Sequence, residues 1–219
     1  MVKNLTRFDV SDMELSNNKS IANYIVMCFS LEASLSAGIG SWVIGLYLLT
    51  KKLTTTQRHN VIFLLIFSSI QFADAILWYI KMKKNNINYI VTSFVIPFIL
   101  SLLIIYNMFF INKINNPYII ILIVAYIMYI WKVINGYSID SKNKYNSPTW
   151  GHFDNPNPSV YGLSLGLVLL VLLAYGRDDF TRNIMCITFL ISGLLNLRGV
   201  GSLWCAISTV LSLYYLYKY

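Results

Sequence analysis

Two carboxylates stand where hydrocarbon is expected. Glu32 and Asp74 each fall inside a long apolar run. A charge at the centre of a spanning helix costs about 2.5–3.5 kcal/mol on insertion scales, so such residues default to function. A pair of acids can relay protons or bind a small cation, and with a histidine and thiolates can ligate a metal. Asp74 shares one helical face with Ser68, Gln71 and Trp78, at offsets of 3, 6 and 10 from Ser68. The structural alternative for Gln71 and Asp74 is hydrogen-bonded glue between helices. His152, Trp204 and the cysteines Cys28 and Cys205 complete the candidates, the last two and His152 as metal ligands or, for the cysteines on an oxidising side, as a disulfide.

The elements that position these groups follow from composition. Of 219 residues, 57% are hydrophobic and only 12% charged, and mean hydropathy is +0.60. A soluble domain carries about twice that charged fraction. The chain is therefore neither a soluble enzyme nor disordered; it reads as an integral membrane protein. The net charge of +8 comes from Lys and Arg placed mostly between apolar runs. Membrane flanks prefer those residues, so the charge needs no nucleic-acid partner. No metalloprotease, hydrolase or phosphate-loop motif occurs, and none calls for a cofactor.

Spanning helices need roughly 20 apolar residues. Seven candidates are predicted, over 27–49, 60–81, 89–111, 117–134, 159–175, 180–197 and 202–217. The expected fold is thus an all-α, polytopic bundle over 27–219, preceded by a polar extension at 1–26. Pro117 suits a first helical position, and Asp178 or Asp179 suits a cap of the sixth helix. The connection 135–158 is long and polar, with Thr149-Trp150-Gly151-His152-Phe153 at its centre. Long loops of this kind are disproportionately functional. Ala33, Ala37, Ser41 and Gly45 recur every fourth residue, a spacing that lets another helix approach closely.

Seven spans also fix relative sidedness. Cys28, Glu32, Gln71, Asp74, Trp78, His152, Trp204 and Cys205 all fall in the half of the molecule that holds the N-terminus. The expectation is that Glu32 and Asp74 share a wet recess roofed by the Trp-Gly-His segment.

Four short motifs resemble those of an uncharacterised family of small multi-pass membrane proteins from bacteria and giant DNA viruses. They are Met27-Cys28-Phe29-Ser30 with Ala33-Ser34, Gln71-x-x-Asp74-x-x-x-Trp78, Gly151-His152, and Gly201-Ser202-Leu203-Trp204-Cys205. Family members tend to begin at the Met-Cys pair and to carry Glu where Asp74 stands. The resemblance implies a multi-pass fold in a cellular or viral internal membrane and assigns no activity. Retinal-binding opsins fit poorly, because residues 202–217 hold no Lys for a Schiff base. Ceramidase-like hydrolases fit poorly too, because His59 and His152 cannot form an HxxxH helix.

The leading expectation is a protein of the lipid bilayer that binds or conducts a proton or small cation. Glu32 and Asp74 would carry charge, Gln71 would hydrogen-bond, His152 would gate, and Trp78 and Trp204 would line the site. A metal-dependent enzyme acting on lipid and a structural membrane protein are the competing readings. Homo-oligomerisation stays open.

Overall fold

The computed structural model describes residues 30–140, 148–151, 158–195 and 207–219. It is an all-α bundle. Seven helices fall within these residues: α1 Leu31–Leu49, α2 Thr55–Tyr79, α3 Asn86–Ile111, α4 Pro117–Val133, α5 Pro158–Ala174, α6 Asp179–Leu195 and α7 Ile207–Lys218. A two-residue hairpin, β1 Ile139–Asp140 with β2 Pro148–Thr149, interrupts the connection after α4.

Local chemistry sets the helix ends. Ser30 caps α1 by accepting from the Ala33 amide at 3.2 Å. Thr54 and Gln57 form a reciprocal capping box, which starts α2 five residues before the apolar run at Asn60. Asn85 caps α3 through the Asn88 amide, and Asn116 caps α4, whose first residue is Pro117. Asp178 caps α6, accepting from the Thr181 amide at 3.1 Å and the Thr181 hydroxyl at 2.8 Å.

Three helices, α1, α2 and α3, with 19, 25 and 26 residues, are long and apolar enough to cross a membrane; α4 is apolar but has 17. These helices mark a membrane protein. Along α4, Tyr118, Ile121, Leu122 and Met128 are exposed and only Ile123 and Ile130 are buried, a face suited to lipid.

The core is built around α2, whose Phe63, Leu64, Phe67, Ile70 and Leu77 are fully buried. Helix α1 lies antiparallel on it. A methyl group on Gly38 would meet the Phe72 ring at 3.0 Å, and one on Gly45 would meet Leu65 at 2.6 Å. Facing residues are seven apart on both helices, so the register is uniform and Glu32 lies level with Trp78. The stripe of small residues thus serves packing: Gly45 is buried against α2, Ala37 and Ser41 are buried, and Ala33 is half-buried. Trp42 locks the pair, donating to the Leu65 carbonyl at 3.1 Å and meeting Phe72 edge to face.

Helix α3 contains two π-helical segments, Val91–Val95 and Tyr106–Ile111. Such segments change the direction of successive side chains, and often sit at functional positions. Here each one clamps a connection, the first that after α4 and the second that after α5.

Candidate functional site

Asp74 and Gln71 are fully buried on α2, one above the other with buried Ser68; Trp78 is half-buried a turn further on. The face expected from the spacing is therefore an inward face. Its partner comes from far along the chain. The indole Nε1 of Trp150, itself only 7% exposed, donates to the Asp74 carboxylate at 2.9 Å.

A built polar framework brings Trp150 there. Helix α4 ends at Val133, and the chain turns back through Gly136. The Ser93 hydroxyl receives the Gly136 amide at 2.9 Å and donates to its carbonyl at 3.1 Å. Asn88 accepts the Ser138 amide at 2.8 Å and donates to the Ser138 carbonyl at 2.9 Å. Thr92 and Ser138 share a hydroxyl contact at 2.7 Å. Thr92 and Ser93 lie in the first π-segment and Asn88 just before it, and all three are buried. Buried polar groups this fully matched rigidify what they hold. Ile139 then pairs with Thr149, and Trp150 follows directly.

Gly151 closes the arrangement. Its φ is +80°, and an added Cβ would come within 2.8 Å of the Ile134 Cα and 2.9 Å of the Val133 carbonyl. Both neighbours are backbone and cannot yield, so only glycine fits. Beside this turn opens a cleft of about 400 Å³ lined by Lys84, Tyr89, Asn135, Tyr137, Ile139 and the two loop glycines.

The two acids expected to share a recess differ in burial. Glu32 is exposed in the first turn of α1, whereas Asp74 is fully buried. The described lining of the cleft includes neither. Glu32 needs no recess, because an acid in a first helical turn meets the positive end of the helix dipole. It shares a level with Trp78. His152, Trp204, Cys28 and Cys205 lie outside the described residues. Among the described residues no three His, Cys, Asp or Glu side chains gather as a metal ion requires.

A second buried charge sits at the opposite end of α2. Arg177, in the α5–α6 connection, is 5% exposed. Its Nη1 donates to Asn60 at 2.7 Å, and its guanidinium carbon lies 3.7 Å from the centre of the Phe63 ring. Asn60 in turn donates to the Tyr219 hydroxyl at 3.0 Å. Burial pushes the Arg177 pKa down to about 10, which leaves it cationic at neutral pH. The second π-segment holds this end: Asn107 donates to the Leu172 carbonyl at 2.7 Å and the Tyr175 carbonyl at 3.2 Å, and Asn112 to Tyr175 at 3.0 Å. Sequence reasoning missed both Trp150 as the partner of Asp74 and Arg177 as a buried group. No family model, curated protein or solved structure matches this chain.

Proposed function

We propose that this is a multi-pass membrane protein, crossing the bilayer seven times, in which Asp74 binds a proton or small cation under control of the loop that carries Trp150. The observation that carries this reading is the 2.9 Å hydrogen bond from Trp150 to a carboxylate with no exposed surface. A carboxylate held in a dry interior is costly as a bare anion. A proton or a cation relieves that cost, and a neutral indole donor relieves part of it without consuming the charge. Moving the loop would exchange the indole for solvent or an ion. Glu32 has no part in this proposal. The membrane would be a cellular or viral internal one, an assignment that rests on the motif resemblance alone.

Liposomes holding the purified protein test it. Proton or cation flux is expected with the natural chain and a loss of about tenfold or more with Asp74→Asn, the scale of removing a charge-assisted contact. Absence of flux in the natural protein overturns the reading. One observation favours a second reading, a structural membrane protein: Asp74 is already matched by Trp150, and the described cleft lining does not include it. That reading expects no flux but a clear loss of stability when the bond is removed.

A further inference from the structure

We propose that Arg177 is the anchor of a phosphate-binding site at the end of the bundle opposite Asp74. The guanidinium is oriented and only half used. Nη1 is bonded to Asn60. Nε and Nη2, both buried, have no acceptor among the described residues. Those two nitrogens form the side-on fork of an arginine, two parallel N–H groups at the spacing of two phosphate oxygens. The nearest acid in sequence, Asp178, is committed to Thr181. Asp178 acts on the guanidinium through space but leaves Nε and Nη2 without an acceptor, so the buried cation is still costly and a bound anion lowers that cost.

The surroundings fit the same ligand. The Phe63 ring holds the back of the guanidinium and keeps the fork from turning. Tyr219, beyond the end of α7, is partly exposed and borrows an Asn60 donor. Exposed Lys51, Lys52, Arg58 and Lys218 flank this end and favour negatively charged ligands. The phosphate can belong to a lipid headgroup, since the site lies where helices end, or to a soluble ion. The lipid source rests on the spanning reading given above; the phosphate chemistry does not, and neither depends on flux through Asp74.

The test uses the full chain purified in detergent and stripped of lipid. Native mass spectrometry measures phosphatidylglycerol adducts, and heat unfolding is followed with and without inorganic phosphate. Retained phosphatidylglycerol with no response to free phosphate supports a headgroup site. A rise of the unfolding midpoint by about 3 °C or more in millimolar phosphate, without lipid adducts, supports a soluble ligand. In either case Arg177→Lys, which keeps the charge and loses the fork, should weaken binding about tenfold. Arg182→Gln, an exposed neighbour paired with Asp179, should leave binding within about twofold. Neither ligand binding the natural protein overturns the proposal, as does equal binding by Arg177→Lys. If Arg177→Lys fails to fold, Arg177→Met is titrated in its place, with loss of binding expected and unchanged binding overturning the proposal.

Discussion

Asp74 and Arg177 are both buried ionisable groups, attached to opposite ends of α2. Asp74 lies on the helix itself, and Arg177 reaches Asn60, fourteen residues or about 21 Å away along the axis. The molecule treats them differently. At the acid end a distant loop delivers a donor, Trp150, and three α3 side chains fix that loop through six hydrogen bonds to Gly136 and Ser138. At the basic end Asn60 and Phe63 of α2 and Tyr219 beyond α7 meet Arg177 from the α5–α6 connection, and the cation rests on an aromatic ring with part of its fork unanswered. The Trp150–Asp74 bond is a fastening for the loop. The guanidinium keeps two nitrogens with no acceptor among the described residues.

The largest expected effect breaks the acid end. Trp150→Ala removes a large buried ring and strips Asp74 of its indole donor. Truncations of this kind cost about 3–5 kcal/mol. Trp150→Phe keeps most of the volume and removes only the donor, for about 1–3 kcal/mol. Heat unfolding in detergent reads both, and hydrogen exchange should show 134–140 opening first. If Trp150→Phe matches the natural protein in stability, the bond is not a fastening and the comparison fails.

The basic end should respond less. In lipid-free, phosphate-free detergent, Arg177→Met exchanges a costly buried cation for an apolar chain of similar length. Asn60 loses one donor, but the desolvation cost of the cation disappears with it. The net change is expected within about 1 kcal/mol. A loss as large as that of Trp150→Ala would mean that the protein alone satisfies the guanidinium, and the two ends would then be alike.

Much of the fold was legible because apolar length and punctuation are local. The predicted runs 89–111 and 117–134 nearly coincide with α3 and α4, and the run 159–175 with α5. The start of α2 was missed although its signal was present: Thr54-Thr55-Thr56-Gln57 is a capping box in the open, hidden by the polar residues between it and the apolar run. The inward face of α2 was legible from spacing alone, since Ser68, Gln71 and Asp74 recur at helical intervals. Trp150 was not assigned to Asp74, because 76 residues separate them and only the folding back of the loop joins them. Arg177 was illegible for a different reason. Between Gly176 and two aspartates it has the sequence of a solvated turn, and its burial depends on Phe63 and Tyr219 arriving from other helices. Periodicity says which way a residue faces on its own helix. It does not say what another element brings to meet it.

Glu32 marks the lower limit of this comparison. It is a charge near the end of an apolar helix, as Asp74 is, yet it is exposed and lies two residues after the Ser30 cap. Without burial there is no desolvation to offset, and its interaction with the helix dipole is weak at an exposed terminus. Glu32→Gln should therefore change stability by less than about 0.5 kcal/mol. In liposomes it should also leave any flux unchanged while Asp74→Asn abolishes it. An equal loss from both substitutions would mean that Glu32 and Asp74 act on one path. The difference in burial between the two acids would then have no functional weight.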